Sequence, residues 1–171
     1  MKLGDRIVLR RWAPTDADAL AHLANNRNIW LNLKNRFPHP YARTDAEAWI
    51  AHCQAETGSP TQFAIDLDGA AIGGIGVEQM NDVHRMTAEV GYWVGEPHWG
   101  NGIASAAVIE MTRHAFAEFP LVRLQAMVFE WNPASRRVLE KAGYMLEARM
   151  ARCIIKDGRL GDAFLYARLR D

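Results

Sequence analysis

The chain lacks most of the features that would commit it to a partner class. Its two cysteines, Cys53 and Cys153, lie far apart and without metal-ligand or C-x-x-C spacing, so they read as free thiols of the core. No apolar run approaches the ~18 residues that a membrane span needs. The opening residues, MKLGDRIVLRRW, alternate charge with apolar side chains and hold no signal-peptide core. A soluble cytoplasmic protein with no membrane partner is expected. Lys+Arg and Asp+Glu number 20 each and no block of like charge stands out, which argues against a nucleic-acid partner. The six histidines, His22, His39, His52, His84, His98 and His114, show no metal-ligand spacing, so no metal is expected. Repeats, linkers and low-complexity segments are missing too. With 171 residues at 49% hydrophobic content, a single domain over residues 1–171 can bury a real core.

What the chain does have is centred on residues 88–107, AEVGYWVGEPHWGNGIASAA. Residues 88–94 are apolar and aromatic enough for a buried strand, and residues 95–100 carry turn residues. From Ile103 onward Ile103, Ala107, Met111 and Ala115 recur at helical spacing. Gly100 and Gly102 therefore stand where a strand hands over to a helix. The first N–H groups of a helix have no partner inside it and carry the positive end of its dipole, so such a turn can hold an anion. The Lys-Ser/Thr pair of a P-loop and the spacing of a dinucleotide fingerprint are both absent.

Elements on either side follow from periodicity and punctuation. Residues 7–10 read as a strand, and Thr15 to Asp18 as a cap opening a helix to about Asn25. Residues 25–40 read as a long loop with a short helix near residues 28–33. Thr44 to Glu47 reads as the capping box of a helix ending near Gly58. Strands are expected at 62–66, 70–79 and 87–94, with turns at Asp68-Gly69 and 82–85. A helix from 103 to about 118, stopped by Pro120, precedes a strand at 122–129. Asn132-Pro133 caps a helix closed by Lys141 and Gly143, and strands at 144–147, 149–156 and 162–169 end the chain.

The central stretch resembles the acyl-CoA loop of the GNAT N-acetyltransferase superfamily, a Gln/Arg-x-x-Gly-x-Gly/Ala motif. Trp99, Gly102 and Ala104 occupy its key positions, with Trp99 in place of the family's Gln/Arg. The W-G-x-G-x-A form, with Pro40-Tyr41 ahead of the second long helix, is similar to the ribosomal-protein-alanine N-acetyltransferase (Rim-like) branch. The order β, α, α, β, β, β, α, β, α, β, β matches that family over essentially the whole chain. The resemblance implies a single-domain α/β (α+β) fold: a mixed, mostly antiparallel sheet splayed between strands four and five, with helices on both faces. It implies acetyl-CoA as donor, with pyrophosphate against Gly100, Asn101, Gly102, Ile103, Ala104 and Ser105. The pantetheine arm would pair with the strand edge at Trp93 and Val94.

Acetyl transfer from a thioester to an amine needs a neutral nucleophile, a polarised carbonyl and a protonated leaving thiolate. Glu89 is a carboxylate inside an apolar strand, where burial without a partner is costly and favours the protonated form. The resemblance makes it the general base; the other reading is an ion pair with Arg10, Arg85 or another cation. Asn132 reads as a helix cap. By resemblance Asn132, Ser135 and Arg137 stand beside the cofactor, and Ser135 is the proton donor to sulfur, because the tyrosine of other relatives is replaced by Leu139. Ser135 could instead shape the site, and Arg136 and Arg137 could instead form a solvated face. Trp30, Phe37, Tyr41 and His84 are candidates for the acceptor pocket, with loop packing or surface exposure as the alternative.

The expectation is an acetyl-CoA-dependent N-acetyltransferase acting by direct transfer on a protein N-terminal amine. A small amine such as a polyamine or an antibiotic is the second acceptor class. A silent acyl-CoA-binding module is the competing class, against which Glu89 and Ser135 argue. Monomer and homodimer both remain open.

Overall fold

The computed structural model describes residue 1 and residues 6–170; the part of the N-terminal reading that falls on residues 2–5 lies outside the described residues. Alternation along β4, Thr87–Val94, organises the interior. Ala88, Val90 and Val94 are buried against one face together with Ile103, Ala107, Val108 and Met111 of α4, Ile103–Glu118. Trp93, one residue out of phase, turns to the other face and packs with a second core around Trp12 and Tyr41. That core takes Leu20 and Ala24 from α1, Ala17–Ala24, and Ala46, Ile50 and Cys53 from α3, Arg43–Gln54. A fully buried side chain such as Met111 contributes about 1.5–3 kcal/mol relative to exposure, so the two cores clamp β4 from both sides.

The remaining elements are β1 Ile7–Arg10, β2 Gln62–Leu67, β3 Ala70–Gln79, β5 Arg123–Phe129, β6 Met145–Lys156, β7 Arg159–Leu169, a short α2 Arg27–Trp30, and α5 Pro133–Lys141. One seven-stranded sheet runs β1-β2-β3-β4-β5-β7-β6. Every pairing is antiparallel except β4 with β5, which is parallel over Thr87–Arg123, Ala88–Leu124 and Glu89–Gln125. Beyond Glu89 the two strands part. β4 stays with β3 as far as Val94, and β5 stays with β7 as far as Phe129. Antiparallel ladders hold slightly better per residue than a parallel pair, and each strand follows its stronger neighbour.

The mixed sheet, its split and the helices on both faces agree with the expected fold. Several details differ. The acid that closes the cap of α3 is Asp45, accepting from Ala42 N–H at 2.8 Å, so the cap position is Ala42, two residues before the expected cap at Thr44, and it supplies no hydroxyl. Asp16 does the same for Ala13 at 2.9 Å, within a tight turn at Pro14–Asp16 that precedes α1. The two strands expected at 144–147 and 149–156 are one strand, β6, with bulges. At the second bulge Arg152 takes φ 52° and donates its N–H to Asp162 Oδ1 at 2.8 Å. Cys153 beside it is exposed, which corrects the reading of both cysteines as core thiols; Cys53 is buried. Among the described residues no helix is long and apolar enough to cross a membrane.

Candidate active site

The parting of β4 from β5 opens a cavity of about 1470 Å³. Because the gap runs through the sheet, residues from both faces of β4 reach the same space. Glu89 comes from the face of the second core, whereas Ser135, on α5, comes from the α4 side. Both line the cavity.

At one end stands the turn that enters α4. Gly100 and Gly102 take φ 82° and 75°, values that disfavour any side chain. No atom lies within 4 Å of where a Cβ would stand at either glycine, so this backbone faces open space. The first hydrogen bond of α4 runs from Ala106 N–H to Gly102 C=O, leaving the N–H groups of Ile103, Ala104 and Ser105 without in-helix acceptors. This donor set fits a pyrophosphate. Gly100, Gly102, Ala104 and Ser105 line the cavity; Ile103 lines it while packing into the core, and Asn101 instead braces the turn through the His98 and Trp99 carbonyls. Trp99 spends its only side-chain donor, the indole N–H, on Val94 C=O at 2.6 Å. The tryptophan thus ties the strand end to the turn, which differs from a phosphate-gripping role. It also occupies a carbonyl of the edge assigned to Val94.

Ser135 is held from two sides. Asn132 Oδ1 accepts its backbone N–H at 3.1 Å, fixing the first turn of α5 as the cap reading required. Its hydroxyl lies 2.7 Å from the Tyr92 phenol. Burial pushes the Tyr92 phenol well above its ordinary value, so it carries its single hydrogen at neutral pH. With that hydrogen on Ser135 Oγ, the serine hydrogen is free to point into the cavity. Arg137 lines the cavity, whereas Arg136 turns to Tyr166 and the Phe164 ring. Leu139 is fully buried.

The far end is closed by the segment between α2 and α3. Glu89 pairs with Lys34, Nζ to Oε1 at 2.7 Å, and its side chain retains 24% exposure. The carboxylate thus has an ion-pair partner, as the alternative reading of Glu89 expected, but the cation is Lys34 and neither Arg10 nor Arg85. Arg10 is spent on Asp16 at 2.7 Å and Asp66 at 2.6 Å, and Arg85 donates to the Asp82 carbonyl at 3.4 Å. Glu78, directly across the β3–β4 ladder from Glu89, pairs with Arg36 at 2.6 Å. The Arg36 hydrogen bond holds the Glu78 carboxyl below the usual carboxylate range, with the Lys34 charge adding to it. Phe37, Tyr41 and Trp93 form an apolar wall with Phe37–Tyr41 ring centroids at 4.9 Å. Gly74 makes the wall possible, since a Cβ there would stand 3.0 Å from the Trp93 ring nitrogen. Trp30 and His84 are not part of the cavity. Trp30 faces Lys156, whose buried ammonium lies 3.8 Å from the ring centre, and stacks on His39; His84 sits exposed in the turn at Asp82–His84.

Lys34, Arg36, Glu78 and Tyr92 are site residues that periodicity missed. Tyr92 was visible as the residue out of phase with Glu89 on β4, but nothing in the sequence places it against Ser135. Lys34 carried only the signal of a cation in a long loop. Among the described residues no cluster of His, Cys, Asp or Glu is arranged to hold a metal ion.

Residues 6–145 match the model of a family described as an acetyltransferase (GNAT) domain. The putative ribosomal N-acetyltransferase YdaF of Bacillus subtilis (strain 168) is 27% identical over 99% of this chain and 94% of its own. The ribosomal-protein-serine acetyltransferase of Escherichia coli (strain K12) is 30% identical over 68% of this chain and 64% of its own. Among solved structures, Mycobacterium smegmatis RimJ in complex with CoA-disulfide aligns with TM-score 0.83 at 27% identity, covering 95% of this chain and 81% of that one.

Proposed function

The chain belongs to the GNAT family of acetyl-CoA-dependent N-acetyltransferases, and from that premise we propose that its acceptor is a protein N-terminal amine, acetylated in the cytoplasm by direct transfer. The observation that carries this reading is the convergence of Glu89 and Ser135 on one cavity from opposite faces of the split sheet. At about 1470 Å³ the cavity exceeds the ~300–1,000 Å³ usual for a single small ligand, which leaves room for a donor and a chain end together. Of the relatives at 27–30% identity, one is named a putative ribosomal N-acetyltransferase and one a ribosomal-protein-serine acetyltransferase.

In this reading pyrophosphate lies on the backbone of residues 100–105, and Arg137, which lines the same cavity, adds a positive charge to it. Glu89 takes the proton of the acceptor ammonium, directly or through water, and the freed amine attacks the thioester carbonyl. Ser135, receiving the Tyr92 hydrogen, offers its own to the departing sulfur. Neither cysteine lines the cavity, and burial pushes the Cys53 thiol up to about 12, so an acyl-enzyme formed through a cysteine thiolate finds no nucleophile among the described residues.

A polyamine is the second acceptor class, favoured by the facing carboxylates Glu78 and Glu89, which would attract a polycation if the loop cations moved aside. Thiol release from acetyl-CoA, measured over a panel of N-terminal peptides, polyamines and aminoglycosides, separates the two. The proposal expects kcat/KM highest for peptides with a free α-amine and lost when that amine is blocked. Preference for spermidine-like amines would replace it.

A further inference from the structure

Lys34 holds its ammonium where the acceptor ammonium of the proposed reaction has to stand. Its Nζ is 2.7 Å from the carboxylate that serves as base, and both residues line the cavity that also holds Ser135 and the turn at Gly102. The segment carrying it is pinned on both sides. Trp131 donates its indole N–H to Leu31 C=O at 3.2 Å, and Arg36 grips Glu78 at 2.6 Å. The amine is therefore presented to the cavity, and a held reactant gains the large effective concentration of an intramolecular one.

The residue type matters. Of 20 basic side chains in the sequence, only Lys2, Lys34, Lys141 and Lys156 are lysines, which leaves sixteen arginines. Arginine suits a carboxylate partner at least as well, and this chain uses it for Asp16, Asp66, Glu78 and Glu147. Against Glu89 it places the one cationic group that can give up a proton and become a nucleophile.

We propose that Lys34 is itself an acceptor, acetylated in cis from acetyl-CoA, so that the protein modifies the loop that covers its own base. This rests on the reading of Glu89 as general base. Glu89 takes one proton from the Lys34 ammonium, and the nitrogen lone pair forms the N–C bond to the thioester carbonyl. The C–S bond breaks, the thiolate leaves and takes up a second proton, and the amide keeps the third; Glu89 then returns its proton to solvent. The balance is lysine ammonium plus acetyl-CoA giving acetyl-lysine, coenzyme A and one proton. The acetylated side chain carries no charge, so Glu89 loses its counter-ion and the loop loses one of two ion pairs.

The test is a time course of the full chain with acetyl-CoA, read by peptide mass mapping at Lys34, Lys141 and Lys156, with peptide and polyamine acceptors present in parallel reactions. Acetylation of Lys34 should outpace the other two lysines by about 10²-fold or more, and Glu89→Gln should remove that excess. The first-order rate constant should not change with protein concentration. A protein that acetylates added amines while Lys34 gains acetyl no faster than Lys141 overturns self-acetylation and leaves the role of Glu89 intact. A rate that rises with protein concentration overturns the reaction in cis. Failure to acetylate any amine, Lys34 included, overturns the role of Glu89 as well.

Discussion

At the scale of single residues, each proposed catalytic group is defined by the neighbour that holds it. Glu89→Gln keeps the shape of the site and loses the base, so turnover should fall by about 10²- to 10⁴-fold while calorimetry finds acetyl-CoA affinity unchanged. Full activity with reduced stability would instead leave Glu89 as a structural partner of Lys34. Tyr92→Phe removes the phenol 2.7 Å from Ser135 Oγ, which in the proposed reading gives its hydrogen to the serine. A neutral hydrogen bond contributes about 1 kcal/mol, so kcat should drop by several-fold, with KM for the acceptor little changed. A KM effect alone would make Tyr92 a packing residue. Glu89 and Ser135 stood out in the sequence as an acid in an apolar strand and a serine behind an Asn-Pro helix start, and their proposed roles came from the family resemblance. Lys34 and Tyr92 were not, because what matters about each is a partner brought near only by the fold.

The elements that carry the site differ in how they resist change. Gly102 adopts φ 75° with open space beside it, so valine there clashes with nothing in the free protein but strains the backbone by about 1–2 kcal/mol and covers the N–H groups of the α4 start. Acetyl-CoA binding should weaken by about tenfold or more, checked by calorimetry with circular dichroism as control for folding; unchanged affinity would move the pyrophosphate elsewhere. The loop over Glu89 answers to pH. Arg36 holds the folded Glu78 carboxyl below its unfolded value, so the stabilisation is complete above the ordinary carboxylate value and is lost as pH falls through the lower folded one. A ¹³C titration of Glu78 should thus give a midpoint below that of an unfolded-chain glutamate, and Arg36→Gln should raise it. Caps were the least legible elements. The sequence offers Thr15 and Thr44 as hydroxyl caps, but returning acids at Asp16 and Asp45 set the helix starts instead.

Over the whole molecule, the order of strands and helices could be read from periodicity and turn residues, because each element is a local pattern. The split between β4 and β5 could not. It arises from competition between ladders that involve β3 and β7, and entered the sequence reading only through resemblance. That split has a kinetic consequence. The cavity has the turn into α4 at one end and the loop that carries Lys34 at the other, so on the proposed reading donor and acceptor take opposite ends of it and need not wait for one another to leave. Both can be resident at once. Initial-rate lines measured at several fixed acceptor concentrations should therefore intersect, where a shuttle through an acyl-enzyme would give parallel ones. Desulfo-coenzyme A should compete with acetyl-CoA, and an acceptor peptide with its α-amine removed should not.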